Sequence, residues 1–318
     1  MENYTIGIDV GGTKTAFGLF DESRELVAKH RCLSDPALTA EQFFSQLADS
    51  LRVFINSQGI GLAQLRGVGI GMPSYVRQED GYILKTANLV NIKEFAARDY
   101  MQGLLGREIR IVLDNDAHAA ALAEHRYGAG RGFSHMLYCP VSTGVSSGII
   151  IENKLFRGQY GWSGESGHTI VSPGEGLLCG CGNTGCIMSW CSGSMIVKHI
   201  QNWIADGEAT LMADLAGGAE NITCEHLDKA WEQGDAMAQK AVDQMARYMA
   251  VWLFNLYVTL NINCFVFGGG LLGMGDKLFG TLRRYFDAYN QDEMHPVHFR
   301  TAELGEDYGI IGASELLF

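Results

Sequence analysis

Four residues, His168, Cys179, Cys181 and Cys186, stand in an H-x10-C-x-C-x4-C pattern. One imidazole and three thiols at that spacing can close a tetrahedral zinc shell made entirely of protein ligands. Such a metal shapes a site rather than doing chemistry, and Glu165 lies three residues before the histidine. The Gly164-Glu165-Ser166-Gly167-His168 run therefore offers a carboxylate and an imidazole suited to gripping sugar hydroxyls. Glu165 would accept a hydrogen bond, while His168 would donate one or ligate the metal. Asn88, in Thr86-Ala87-Asn88-Leu89, could add an amide or serve only as a turn residue.

Three glycine-rich turns suggest a second kind of chemistry. Asp9-Val10-Gly11-Gly12-Thr13-Lys14-Thr15 has the P-loop glycine spacing at Gly7 and Gly12, but Thr13 occupies the lysine position. The residues that follow alternate like a strand instead of opening a helix. A hairpin turn can still cradle phosphate through its backbone N–H groups, with hydroxyls from Thr13 and Thr15 and charge from Lys14. The Ser142–Gly148 turn, with Thr143 and Gly144, and the Gly268-Gly269-Gly270 turn make the set of three expected of a nucleotide triphosphate site. Asp9 ends the first strand and could hold Mg²⁺ through water. Leu113-Asp114-Asn115-Asp116-Ala117 sits at the mouth of a helix, where the dipole favours an anion. Simple N-capping explains this cluster as well as catalysis does. For kinase chemistry, Asp116 is the candidate base that accepts a hydroxyl proton.

These residues need a scaffold. Tyr4–Val10 and Ala16–Phe20 read as a hairpin. Thr39–Gln58 reads as an amphipathic helix with Phe43, Phe44, Leu47, Leu51 and Phe54 on one face, opened by a Thr39/Gln42 capping box. Strands are expected at Gly67–Gly71, Ile109–Leu113, Met136–Val141, Ile149–Ile151 and Cys264–Phe267, and an alanine-rich helix at Ala117–Tyr127 closed by Gly128. Helical patterns dominate from Ser194 to Leu260, with an irregular acidic stretch near Ala205–Glu225. His118 and His125, seven apart on one helix, read as surface or packing residues. Strand, Gly/Ser/Thr turn and strand occur twice, about 130 residues apart, as in two similar α/β halves facing a cleft.

Composition narrows the function further. The 318 residues are 47% hydrophobic and 19% charged, as in a soluble globular protein. A net charge of -12 argues against a nucleic-acid partner or an anionic membrane surface. The apolar run Met249–Phe267 is broken by Asn255, Asn261 and Asn263, so a buried helix running into a strand is expected there and not a membrane span. Eight cysteines in a chain this long suggest a reducing cytoplasm, not a disulfide scaffold.

The chain resembles the ROK family of repressors, open reading frames and sugar kinases over nearly its whole length. The matching pieces are Asp9–Lys14, Asn115–Ala121, Ser142–Val145, Gly164–His168, Cys179–Asn183, Gly185–Ile187, Gly305–Asp307 and Gly309–Ala313. The resemblance implies an α/β fold of the actin-like ATPase (ribonuclease H-like) class, two α/β domains flanking a cleft. The smaller domain is expected at 1–115, completed by about 300–318, and the larger one, with the zinc site, at 116–299. It implies ATP-dependent phosphorylation of a hexose at the 6-hydroxyl, with an N-acylhexosamine, fructose or allose as alternatives. A non-catalytic sugar-binding or regulatory relative is the reading from a different class. The family's repressors carry an N-terminal helix-turn-helix, whereas here the first strand begins at residue 4.

Carried onto this sequence, the family pattern makes Asp116 the catalytic base and assigns the sugar to Asn88, Asn115, Glu165 and His168. Nucleotide and Mg²⁺ fall to Asp9, Gly11, Gly12, Thr13, Lys14, Thr143, Gly144 and Gly269. Structural zinc falls to His168, Cys179, Cys181 and Cys186, and a homodimer is expected. One ring nitrogen of His168 for metal and one for sugar is the economical arrangement. The chain departs from the family where Met188 replaces a glutamate that contacts the sugar near its anomeric end. It departs again at Ser146-Ser147, in a turn usually richer in glycine, and at Ser74-Tyr75 after Pro73.

Overall fold

The computed structural model describes residues 3–292 and 294–318. Along the chain run β1 (Tyr4–Val10), β2 (Lys14–Phe20), β3 (Leu26–Leu33), α1 (Ala40–Ser57), β4 (Leu65–Met72), β5 (Ser74–Arg77), β6 (Tyr82–Thr86) and β7 (Lys93–Ala96). Then come α2 (Ala97–Leu105), β8 (Arg110–Asn115), α3 (Asp116–Tyr127), β9 (Met136–Pro140), β10 (Gly148–Ile151) and β11 (Lys154–Leu155). The remainder is mostly helical: α4 (Ile187–Cys191), α5 (Gly193–Ala205), α6 (Leu211–Ala216), α7 (Cys224–Glu232) and α8 (Ala236–Leu260). It ends with β12 (Cys264–Gly268), α9 (Gly275–Tyr289), β13 (His298–Thr301) and α10 (Tyr308–Glu315).

Two compact units result. One comprises the chain up to Tyr138 with Gly148–Ser163 and Ala302–Phe318; the other comprises Cys139–Ser147 and Gly164–Thr301. In the first unit the sheet order is β3-β2-β1-β4-β8. Strands β1 to β3 form an antiparallel meander, and β4 and β8 join in parallel. Strands β5, β6 and β7 make a separate antiparallel sheet. The later strands repeat the theme, with β9, β10 and β11 antiparallel and β12 parallel to β13. This duplication is the one visible in the repeated strand-turn-strand pattern.

Local chemistry explains the element ends. Thr39 and Gln42 form the reciprocal capping box at the start of α1, whose Phe43, Phe44, Leu47, Leu51 and Phe54 are buried against the first sheet's core. Gly128 closes α3, and Asn261 closes α8 in the left-handed conformation. The acidic stretch expected to be irregular contains α6, capped by Thr210 and Asp235 across 25 residues of sequence. A tertiary cap of that kind leaves no local signature. No helix among the described residues is long and apolar enough to cross a membrane.

The last helix, α10, lies directly on the first sheet, backbone against backbone. A Cβ on Gly69 in β4 would overlap the Ala313 carbonyl oxygen, and one on Gly312 would overlap that of Ala119 in α3. Glycine is required there for close approach, with no side chain able to yield. Gly69→Ala should therefore destabilise the protein by about 3 kcal/mol in urea unfolding. A loss under about 1 kcal/mol would mean that α10 can lift off without cost.

Candidate functional site

The first glycine turn connects two strands, since β2 begins at Lys14 and Gly11 N–H donates to the Lys14 carbonyl at 2.9 Å. The P-loop alternative thus fails structurally as well as by residue type. Thr13 and Lys14 are exposed at the turn. Thr15 is not available to a ligand: its hydroxyl is buried and bonded to Ser34 Oγ at 2.9 Å. The hydroxyl contribution expected of Thr15 is accordingly withdrawn. Asn88 packs beside the turn, with a Cβ on Gly12 falling 3.0 Å from the Asn88 Cβ.

Asp9 lies at the end of β1, against the backbone of Gly309. Burial first, and then the nearby Asp116 carboxylate, push its carboxyl up to about 7, with Arg31 pulling the other way. Burial and the same two aspartates push the Tyr308 phenol up to about 12. A buried carboxyl raised by a neighbouring carboxylate makes a site that a divalent cation would relieve. This donor set fits Mg²⁺.

Asp116 is the first residue of α3, where the helix dipole favours its anion. Asn115 is the cap: its side-chain oxygen accepts from Ala117 N–H at 2.8 Å, and its Nδ2 donates to the Ser74 carbonyl at 3.3 Å. Ala117 N–H also donates to Asp116 Oδ1 at 2.9 Å, so both side chains meet the first turn of the helix. Asp114 is buried and accepts from His118 Nδ1 and Arg157 Nε, each at 2.7 Å. Burial alone would raise the Asp114 carboxyl, but the His118 and Arg157 charges hold it below the usual carboxylate range. Of the two histidines read as surface or packing residues, His118 is buried and ion-paired, so the surface reading fails for it. His125 bonds the Phe133 carbonyl at 3.0 Å.

In the second unit the Ser142–Ser147 turn is held by the start of α5: Gly193 N–H donates to the Ser142 carbonyl at 2.7 Å, and Ser194 Oγ to that of Thr143 at 2.6 Å. Gly269 lies against the Val141 backbone at a φ of 91°, which favours glycine. Val141 N–H also donates to Gly268 at 2.9 Å, so the second and third glycine turns adjoin. Ser147, one of the departures from a glycine-rich turn, ties this turn to the next loop. Its N–H donates to the Gly164 carbonyl at 2.7 Å, and its hydroxyl meets Ser166 Oγ at 2.9 Å.

That loop carries Glu165 and His168. The ligand atoms of His168, Cys179, Cys181 and Cys186 all lie within 4.8 Å of one another. Cys179 Sγ is 3.4 Å from His168 Nδ1, and Cys181 Sγ is 3.6 Å from Cys186 Sγ. A tetrahedron with Zn–S bonds of about 2.3 Å has edges of roughly 3.7 Å. The separations fit that shell and are far too long for disulfides, and none of the described cysteines is in a disulfide. His168 Nδ1 faces the thiols, while Nε2 is 3.8 Å from Glu165 Oε2. The two ring nitrogens thus face different neighbours. Met188 in α4 places its terminal methyl 3.1 Å from where a Cβ on Gly167 would stand and 3.8 Å from one on Gly144.

Sequence reasoning missed Arg157, Ser163, Gly193 and Ser194. Only the Asp114/His118 pair, four apart across a helix start, carried a readable signal.

The sequence model of the ROK family matches residues 5–318. The chain is 29% identical over 317 residues to a glucokinase of Halalkalibacterium halodurans, covering 99% of this chain and 95% of that one. It is 30% identical over 310 residues to an N-acetylmannosamine kinase of Yersinia pestis, covering 97% and 96%. Among solved structures, a ROK glucokinase from Streptomyces griseus in complex with glucose and AMPPNP aligns with a TM-score of 0.80. It is 31% identical and covers 99% of each chain. The architecture is accordingly the α/β fold of the actin-like ATPases.

The raised Asp9 pKa has a consequence for stability. Because the folded value of about 7 lies above the ordinary 3.8, protonation of Asp9 favours the native state. That contribution is complete below about pH 4 and is lost as pH rises through about 7. In Mg-free buffer, the Tm of Asp9→Asn relative to the parent should therefore rise between pH 5 and pH 8. A constant difference across that range would show that Asp9 titrates normally.

Proposed function

The chain belongs to the ROK family, and from that membership we propose that it transfers the γ-phosphoryl group of ATP to the 6-hydroxyl of a glucose-type hexose. The observation that carries this reading is Asp116, held at the N-terminus of α3 beside the cation-ready Asp9. Asp116 takes the hydroxyl proton while the sugar oxygen attacks the γ-phosphorus. The bond to the β–γ bridging oxygen breaks and ADP leaves. Its place in the first turn of α3 sets Asp116 where the helix dipole favours the anion, the form that accepts the proton. Gly11, Gly12, Thr13 and Lys14 on one turn, and Thr143, Gly144 and Gly269 on the two adjoining ones, are assigned to the nucleotide. Mg²⁺ held by Asp9 would neutralise charge on the phosphate oxygens.

Asn88, Asn115, Glu165 and His168 are assigned to sugar hydroxyls. Zinc on His168 Nδ1 and the three thiols would fix the imidazole so that Nε2 stays available beside Glu165. An N-acylhexosamine is the second reading, and Met188 favours it. Its methyl touches the phosphate turn and the sugar loop, so it offers an acyl group an apolar neighbour where a glutamate would offer an acceptor.

A coupled ADP assay over glucose, fructose, mannose, allose and the N-acetylated hexosamines tests both readings. Asp116→Asn should lower kcat about 10³-fold on the best sugar. A zinc-loaded, folded parent that is inactive on the whole panel would sink the kinase reading. Met188→Glu should improve glucose relative to N-acetylated sugars by roughly tenfold, as one restored hydrogen bond to a buried hydroxyl predicts. Unchanged specificity constants would remove Met188 from the argument.

Elemental analysis tests the metal. The purified parent should carry about one zinc per chain, and Cys181→Ser should lose it with a lowered Tm. Equal zinc in parent and variant would place the ion elsewhere.

A further inference from the structure

A closed ring of contacts surrounds the N-terminus of α3 in the first unit. The Asp114 carboxylate accepts from Asn115 N–H at 2.8 Å, His118 Nδ1 at 2.7 Å and Arg157 Nε at 2.7 Å. His118 Nε2 reaches the Ser163 carbonyl at 2.9 Å. Ser163 N–H returns to the Arg157 carbonyl at 3.1 Å, so the two residues close the mouth of a small loop. Just before Ser163, Trp162 sets its ring edge-on to Tyr75 at 5.4 Å, and Tyr160 packs on Trp162 at 5.7 Å. Tyr75 adjoins Ser74, whose carbonyl holds the Asn115 side chain. The ring thus returns to the residue where it began, one position before Asp116.

Both oxygens that face the His118 ring can only accept: one belongs to a carboxylate with two stronger donors on it, the other to a peptide carbonyl. A neutral ring would aim a lone pair at one of them. With the ring 1% exposed, no water can stand in for the missing proton. We propose that His118 is a doubly protonated positioning residue for phosphoryl transfer, clamping the 157–163 loop and Asp114 together so that Asn115 and Asp116 are held in one geometry. The inference rests on Asp116 acting as the base. Asp114 and Arg157 are the charged groups facing the ring, and after the burial penalty the Asp114 charge raises its pKa. A buried ion cluster gives little net stability over apolar packing. Its value lies in the fixed directions of four hydrogen bonds.

The experiment combines a readout that needs no activity with one that does. In protein carrying ¹⁵N-histidine, both ring nitrogens of His118, assigned by their loss in His118→Asn, should resonate as protonated nitrogens from pH 6 to pH 8. A single neutral tautomer in that range overturns the proposal. Arg157→Gln, at a side chain 29% exposed, should fold even if His118→Asn does not. In either folded variant, acrylamide quenching of Trp162, isolated by difference against Trp162→Phe, should increase. The sugar kcat/KM should fall about tenfold or more while the ATP KM stays within about threefold, with Arg157→Lys recovering part of the loss. Folded variants with unchanged quenching and unchanged sugar kinetics would reduce the clamp to ordinary packing. Should the parent phosphorylate no sugar, the nitrogen shifts and the quenching still decide whether the clamp exists.

Discussion

A carboxylate at the start of a helix is stabilised only while the backbone around it is held still, and much of this protein is arranged to hold one such point. Between Leu113 and His118 the chain passes from the last strand of the first sheet into α3 with four polar residues in six positions. Each has a different task. Asp114 collects buried donors, Asn115 caps the helix, Asp116 faces the acidic corner of Asp9, and His118 reaches outward to Ser163. Any one of them substituted for its neighbour would serve the wrong end. The close packing of α10 on glycines of β4, and of Gly312 on α3, fixes the same junction from behind.

The second unit solves a similar problem with less secondary structure. Its glycine turns and the loop that carries Glu165 and His168 are short, irregular and rich in positive φ, so they cannot be stiffened by helix or sheet. Instead the loop is tied to the turn by Ser147 and Ser166, the turn to the α5 terminus by Gly193 and Ser194, and the zinc-type tetrad gathers residues 168–186. A metal shell on that tetrad would take the place of the hydrophobic core that so small a lobe cannot bury. Trp190 supports the same lobe from α4, stacking on Tyr248 at 4.5 Å and donating to Ser172 at 2.8 Å.

What could be read in the sequence was what is local. The α1 capping box, the hairpin at the first glycine turn, the cap of α3 and the spacing of the four metal-type ligands all depend on residues within about twenty positions of each other. The ring around Asp114 was not legible, because Arg157 and Ser163 approach from more than 40 residues away and carry no periodic signal. Thr15 illustrates the opposite error. Its type and place suggested a ligand contact, but in a strand its side chain points to one face only, and that face is the core.

Met188 joins these threads. With methionine in the first turn after the last metal-type cysteine, the tetrad's ligand atoms are still gathered, and the Met188 methyl lies beside Gly144 and Gly167. The brace and the surface it braces can therefore change independently. A glutamate there would place a charge against two glycines, and it would need a hydrogen-bond partner to satisfy it. Methionine needs none. On the proposed sugar site it would fill the same space without requiring a partner, so the cost of an unmatched group would no longer exclude ligands lacking a matching hydroxyl, and discrimination would pass to shape.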